Sequence, residues 1–212
     1  MVTEQKMKHS LEYFSLYYLN MWLTHDRLYH ESLNNGTHEE KLVFIKQAAT
    51  YYKVARNLPK EYDEDIGYAR YEPVIKIIDE VIASDFSVDT VESIKKVQDE
   101  LSRAYGGRCV LSITTKLLWL KIRDPIIIYD SQARKALKTD DGDLSGFYTA
   151  WRNEYCAHSK AIATICAKLS SVSNTLAIKK LLIQNTSKTY QCSLGFKREY
   201  LICICGTSDS NI

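Results

Sequence analysis

The most reactive arrangement in this sequence is a lysine inside an apolar run, followed 14 residues later by an aspartate. Lys116 directly precedes the apolar residues 117–120, and the whole stretch 109–122 has a helical phase. A lysine partly removed from water loses some preference for its charged form, and a neutral amine is a nucleophile. Asp130 follows the apolar stretch 126–129 and precedes a basic segment. The sequence therefore offers an amine and a carboxylate, although spacing alone does not show that they meet.

Each of these two residues also has a plain structural interpretation. Lys116 fits a surface lysine that lays its methylene chain along apolar neighbours and keeps its amine in water. Asp130 fits the N-cap of a helix beginning at Ser131, because a carboxylate there accepts from the first backbone amides. The capping role is compatible with catalysis.

The segment around this pair resembles the helix-hairpin-helix DNA glycosylases, the 8-oxoguanine type among them. That family carries a hairpin Gly-Val-Gly-x-Lys, an apolar helix and then a Pro-Val-Asp-x-His-Val element. Residues 112–116 stand where the hairpin and its lysine would be, and residues 127–133 stand where the aspartate element would be. The closest resemblance is to a diverged 8-oxoguanine-glycosylase-like group of bacterial proteins. It covers residues 100–155, with Ser112, Thr114 and Gln132 replacing the two glycines and the histidine of the pattern.

The resemblance implies a fold and a mechanism. The fold is all-α, a compact two-lobed helical domain, and the target nucleotide is flipped out of the DNA stack. Lys116 attacks C1′ of the sugar and displaces the base, while Asp130 stabilises developing positive charge or activates the amine. Five cations are implied as phosphate contacts, which makes affinity salt-dependent: Arg108, Lys121, Arg123, Arg134 and Lys135. Three aromatic residues are candidates for stacking on the extruded base, with core packing as the alternative for both tryptophans: Trp119, Tyr129 and Trp151.

A second pair of residues points to a different class of enzyme. Arg152, followed by Asn153 and later by His158, resembles the Arg-x4–6-His motif of the HEPN ribonucleases, all-α proteins that act on RNA. Six residues correspond to about 600° around an ideal helix, so the two side chains lie about 120° apart unless the helix kinks or ends. The plain interpretation is a surface arginine and a surface histidine. A third class is a helical protein that binds nucleic acid or protein without catalysis.

Composition favours helices to position these residues. The chain of 212 residues has only 8 glycines and 3 prolines, and few breakers argue against an all-β fold with many tight turns. The net charge is only +2, but residues 95–138 carry ten lysines and arginines against four carboxylates. Such asymmetry is typical of a face aimed at an anion, nucleic acid among them, and is more commonly a solvated helix face.

Periodicity and capping signals predict the element boundaries. Thr37–Glu40 indicates a capping box for a helix that runs through 42–54, Asp89–Glu92 indicates a second start of this kind, and Gly106 and Gly107 break the helix that follows it. The other helices are expected over 10–33, 73–82, 109–122, 131–138, 146–170 and 174–184, and the helix that begins at Asp89 is expected to reach 105. The run 126–129 fits a short strand or an extended loop. We therefore expect one all-α helical domain over 1–205, with two lobes around a cleft as the alternative, and a flexible tail over 206–212.

Several classes of function lack their motifs. There is no P-loop, Rossmann glycine pattern or Gly-x-Ser-x-Gly elbow, and the six cysteines form no Cys-x-x-Cys pair. We therefore expect no cofactor, no metal site, and reduced, mostly buried thiols. No apolar run reaches 18 residues and no secretory signal is recognisable, so a cytoplasmic protein without a membrane partner is expected. DNA is the expected partner, and RNA is the alternative.

Overall fold

In the computed structural model, residues 21–58 and 70–172 are described, and every regular element within those ranges is helical. The all-α prediction is thereby confirmed. The elements are, in chain order, a π-helical turn Trp22–Asp26, α1 Arg27–Asn35, α2 His38–Tyr51, α3 Glu72–Glu80, α4 Thr90–Ala104, α5 Leu111–Lys121, α6 Ser131–Leu137 and α7 Leu144–Val172, with 3₁₀ turns at Ala55–Asn57 and Ala83–Phe86.

Local capping chemistry sets most helix ends where the sequence predicts them. The Thr37 hydroxyl accepts from the Glu40 amide at 3.3 Å, and the Thr37 amide donates to Glu40 Oε2 at 2.8 Å. This reciprocal pair satisfies two amides that the first turn of α2 leaves without helical partners. At α4, Asp89 Oδ1 accepts from the Glu92 amide at 3.0 Å. Pro73 lies in the first turn of α3, where its missing N–H costs nothing.

Two consecutive glycines end α4 and start the connection to α5. Gly106 and Gly107 have φ values of 70° and 78°, the left-handed region that favours glycine. The Gly107 amide donates to the Ser102 carbonyl at 2.8 Å, and the Gly106 amide donates to the Arg103 carbonyl at 3.3 Å. These two bonds form a Schellman motif, which satisfies the last carbonyls of the helix.

The chain divides into two compact units, and one of them contains both Lys116 and Asp130. This unit comprises residues 23–130. Its centre is α5, which contacts α1, α3 and α4 and has nine of its eleven residues buried. A helix that is apolar on nearly all sides has to be enclosed by its neighbours. The helix that carries Lys116 is therefore held firmly by its surroundings.

The other unit comprises residues 1–22 and 131–212. Among its described residues, α6 packs against α7, and Phe147 and Trp151 are buried. The predicted helices over 131–138 and 146–170 are confirmed as α6 and α7. The start of the predicted helix 10–33, the predicted helix 174–184 and the predicted tail lie outside the described residues.

The segment between α5 and α6 is extended and pairs with no strand in the described part of the chain. Ile126, Ile128 and Tyr129 are buried along it. The Tyr129 amide donates to Thr115 Oγ1 at 3.0 Å, which attaches the segment to α5. Of the two predictions for residues 126–129, the extended loop is the one confirmed.

Candidate functional site

Lys116 is buried in the structure although lysine is rarely a buried residue type. It lies in the second turn of α5 with only 7% of its side chain exposed. Its Nζ donates to Ser112 Oγ at 2.8 Å, one helical turn earlier. Because a buried ammonium needs partners to replace its water, this hydrogen bond offsets part of the desolvation. The interpretation of Lys116 as a surface lysine does not fit this degree of burial.

Asp130 provides the opposite charge at this site. Its Oδ2 lies 3.6 Å from Lys116 Nζ, and 45% of its side chain is exposed. The pair therefore has a covered amine and a carboxylate that reaches solvent. The structure brings together the two residues that the sequence could only place on neighbouring segments.

The segment that resembles a glycosylase hairpin has a different conformation here. Residues 112–116 form part of the continuous helix α5, whereas the resemblance places a hairpin there. The turn that connects two helices lies earlier, at Tyr105–Val110, where Gly106 and Gly107 supply the left-handed backbone. The physical reason is that Ser112 and Thr114 are compatible with a helix interior, whereas two left-handed glycines are not.

The predicted phosphate contacts fall into two groups. The first group, Arg108 and Lys135, is exposed. The second group makes contacts within the protein. Arg134 donates to the Thr139 carbonyl at 3.0 Å and is mostly covered, Lys121 Nζ donates to the Leu33 carbonyl at 2.8 Å, and the Arg123 guanidinium lies 5.6 Å from the centroid of the Trp119 ring. Lys121 and Arg123 therefore have a structural role within the unit that contains residues 23–130.

The three aromatic candidates for base stacking are all buried. Trp119 is 3% exposed, Tyr129 is 5% exposed and Trp151 is 4% exposed. Trp151 stacks on Tyr155 with ring centroids 5.3 Å apart. Core packing, the alternative kept for the two tryptophans, agrees with this burial.

Arg152 and His158 have different neighbours on α7. The Arg152 guanidinium lies 6.0 Å from the centroid of the Tyr148 ring, and His158 Nε2 lies 3.6 Å from Glu154 Oε2. The helix continues from Leu144 to Val172, so a separation of six residues leaves the two side chains about 120° apart. The arrangement of these two residues within one chain gives no support to the ribonuclease interpretation.

The C-terminal ends of α1 and α5 satisfy one another's carbonyls, which fixes the position of the helix that carries Lys116. His30 Nδ1 donates to the Leu120 carbonyl at 2.6 Å. Asn34 Nδ2 donates to the Lys121 carbonyl at 3.1 Å, and Lys121 Nζ donates to the Leu33 carbonyl in return. Carbonyls in the last turn of a helix lack helical partners, so these bonds replace water at both ends.

Burial of His30 makes the stability of the protein sensitive to acid, and the hydrogen bond to the Leu120 carbonyl opposes this effect because it raises the pKa of the ring. Burial lowers the pKa of His30 below its ordinary value of 6.5, and the nearby Arg123 cation acts in the same direction. A histidine with a lowered folded-state pKa contributes stability above pH 6.5 and loses it as the pH falls through that lowered pKa. We expect wild type to lose stability between pH 7.5 and pH 5 more steeply than His30→Asn, which keeps a donor but does not titrate.

The measurement is the urea midpoint of both proteins across that pH range. His38 contributes with the opposite sign, because its hydrogen bond to Glu72 raises the pKa of the ring. Its stabilising effect is present below pH 6.5 and declines as the pH rises through its raised pKa. That effect is common to both proteins and cancels in the comparison. Parallel curves for wild type and His30→Asn would contradict the assignment to His30.

Sequence reasoning missed Ser112 and Thr115 as parts of this site. Ser112 accepts from Lys116, and the fully buried Thr115 accepts from the amide of Tyr129. The contact between Ser112 and Lys116 could have been predicted from the sequence, because residues four apart on a helix are neighbours. The contact between Thr115 and Tyr129 could not, because it joins α5 to an extended segment whose path the sequence does not specify.

Other kinds of site are not formed by the residues that the structure describes. Within them, no group of three histidine, cysteine or acidic side chains could hold a metal ion. None of the helices searched has both the length and the hydrophobicity to cross a membrane. Cys109 and Cys156 are free thiols and exposed, because one lies in the turn before α5 and the other on the surface of α7. The prediction of mostly buried thiols is not tested further, since the other four cysteine side chains lie outside the described part of the structure.

Comparison with known proteins adds no relative to this picture. No family model, no curated protein and no solved structure matches the chain.

Proposed function

We propose that this chain is a DNA-binding, base-excision glycosylase and abasic-site lyase in which Lys116 is the nucleophile and Asp130 is its acid–base partner. The observation that supports the proposal is the 3.6 Å separation of Lys116 Nζ and Asp130 Oδ2. The mechanism requires these two groups to meet, and they come from segments that the sequence alone does not join. A nucleophile beside a group that can take its proton is the general signature of covalent catalysis.

The chemistry follows from the state of the two groups. The Asp130 carboxylate accepts a proton from the Lys116 ammonium and leaves a neutral amine. The nitrogen lone pair forms a bond to C1′ of a flipped nucleotide while the bond from C1′ to the base breaks. The base departs with the electron pair of the broken bond and takes a proton from water. The nitrogen gives a second proton to the hydroxide left by that water, its lone pair opens the ring, and O4′ takes the proton held by Asp130, which leaves an iminium at C1′. The Asp130 carboxylate then removes a proton from C2′, and β-elimination expels the 3′ phosphate.

The exposures of the two side chains give this mechanism an order of events. Asp130 is half exposed, so an incoming sugar meets the carboxylate first. Ser112 keeps Nζ on the side of α5 that faces Asp130. The amine is therefore held in place before the substrate arrives, which lowers the entropic cost of attack.

The turn between α4 and α5 is the proposed contact with DNA phosphate. Arg108 is exposed in this turn, beside two glycines that carry no side chains to obstruct a phosphate. We expect Arg108→Ala to weaken binding to any duplex sequence and to reduce the slope of log K against log salt by about 1. Fluorescence anisotropy between 50 and 200 mM salt, about the range over which phosphate contacts change affinity most visibly, measures both effects.

Lys96→Ala is the matched control for Arg108→Ala. Lys96 is an exposed cation on α4 and has no role in the proposed site. We expect the Lys96→Ala variant to have a slope of log K against log salt close to that of wild type. An equal fall in slope for both variants would indicate a general charge effect and would remove Arg108 from the proposed contact.

The proposal is tested by borohydride trapping on a duplex with one abasic site. An abasic aldehyde condenses with an amine to an imine, and borohydride reduces that imine to a stable adduct. Wild-type protein should give an adduct on this duplex and none on an intact duplex. Absence of an adduct would overturn the lyase part of the proposal. Cleavage of an RNA panel that Arg152→Ala abolishes would then support the ribonuclease class, and binding alone would support the non-catalytic class.

A further inference from the structure

The two residues that directly precede Lys116 and Asp130 are themselves joined by a hydrogen bond. Thr115 precedes Lys116 on α5, and Tyr129 precedes Asp130 on the extended segment. The Tyr129 amide donates to Thr115 Oγ1 at 3.0 Å. One hydrogen bond therefore joins the two backbone positions next to the two reacting side chains.

Thr115 is itself locked in a single orientation. It is fully buried, and its hydroxyl donates back to α5, with the Leu111 carbonyl at 3.2 Å and the Ser112 carbonyl at 3.3 Å. Because the hydroxyl proton is used on the helix, the oxygen lone pair remains for the Tyr129 amide. The bond is enclosed by protein, where the loss of an acceptor costs about 1–3 kcal/mol.

From this geometry we infer that Thr115 is a positioning residue that sets the distance between Lys116 Nζ and Asp130. The effect of Thr115 on catalysis rests on the proposed function, whereas its effect on the position of Asp130 rests on the hydrogen bond alone. Without the Thr115 oxygen, the Tyr129 amide loses this acceptor on α5. The end of the extended segment is then held less closely to α5, and the Asp130 carboxylate shifts with it. Lys116 becomes more open to small reagents and less well placed for attack on a sugar.

The test uses two variants of the full chain. Thr115→Val keeps the shape of the side chain but removes the oxygen, and Thr115→Ser keeps the oxygen but removes a methyl group. The first readout is reductive methylation with formaldehyde and a mild borane, followed by peptide mass spectrometry. Formaldehyde and the amine form an imine with loss of water, and hydride reduces that imine to a methylamine. The rate of methylation at Lys116 relative to other lysines reports how well the residue is covered.

We expect Thr115→Val to be methylated at Lys116 several-fold faster than wild type, while Thr115→Ser stays close to wild type. The other largely covered lysines, Lys41 and Lys121, are internal references and should not change. The second readout is the yield of the borohydride-trapped abasic adduct, which should fall about tenfold in Thr115→Val and recover in Thr115→Ser. An increase in reactivity of Lys116 toward the small aldehyde, with a decrease toward DNA and no change at Lys41 and Lys121, is a result that unfolding does not give.

The two readouts separate failure of this inference from failure of the proposed function. If wild type gives no trapped adduct but Lys116 methylation responds to Thr115→Val and not to Thr115→Ser, the positioning role stands and the lyase function fails. If Lys116 is methylated in Thr115→Val at the same rate as in wild type, the inference is overturned. Faster methylation of Lys41 and Lys121 as well would assign the effect to unfolding and would also overturn it.

Discussion

Replacing Lys116 with methionine is expected to abolish the trapped abasic adduct, a loss of about 100-fold or more in its rate of formation. The reason is that methionine has no amine to form the bond to C1′, and a missing nucleophile is not replaced by binding interactions alone. Methionine matches the length of the lysine chain and suits its apolar surroundings. The measurement is the initial rate of adduct formation on a labelled abasic duplex.

The variant should remain folded, which makes the loss interpretable. Asp130 is 45% exposed and stays hydrated when its partner is removed, so no buried charge is left uncompensated. Lys96→Met is the matched control, because it makes the same substitution at an exposed position on α4 outside the proposed site. If Lys116→Met forms the adduct at the wild-type rate, Lys116 is excluded as the nucleophile, whatever the rate of Lys96→Met.

The second large effect is expected on stability, from Leu118→Ala. Leu118 is fully buried on α5, two residues after Lys116. Truncation removes its buried methyl groups and leaves a cavity between α5 and its neighbours, with an expected cost of about 2–5 kcal/mol. Urea denaturation followed by circular dichroism measures the change, and at the upper end of this range about a third or more of the typical stability of a domain would be lost.

Leu28→Ala provides the same substitution on a helix surface. Leu28 is 41% exposed on α1, so its truncation should cost much less, about 1 kcal/mol or below. Equal losses for the two variants would mean that α5 is not the centre of its unit. That result would also remove the basis for treating Lys116 as held in a fixed place.

The elements of this fold were largely predictable because their end signals are local. The hydroxyl and carboxylate of Thr37 and Glu40 form the expected box within four residues of chain. Asp89 caps α4 for the same reason, and Gly106 ends it because left-handed backbone suits glycine. Such chemistry depends on nearest neighbours, and a sequence contains all of that information.

The geometry of the site was predictable only in part. Lys116 and Asp130 could be singled out by residue type, but their meeting depends on the path of residues 126–130 and on the Thr115 hydroxyl. The hairpin was misplaced because the resemblance aligned Ser112 and Thr114 with glycines, although Gly106 and Gly107 already marked the break six residues earlier. Charge counting likewise could not separate exposed Arg108 from cations that make internal contacts, because both kinds look alike in a sequence.

Peptide mapping of the trapped adduct identifies the amine that reacts with the deoxyribose carbon, which is the Lys116 amine in the proposed mechanism. Wild-type protein is reduced with borohydride on an abasic duplex, the DNA is digested, and the modified residue is located by mass spectrometry. We expect a deoxyribose remnant on Lys116, with the exposed Lys96 and Lys135 unmodified. A remnant on another lysine or on the N-terminal amine, or no remnant at all, would contradict it.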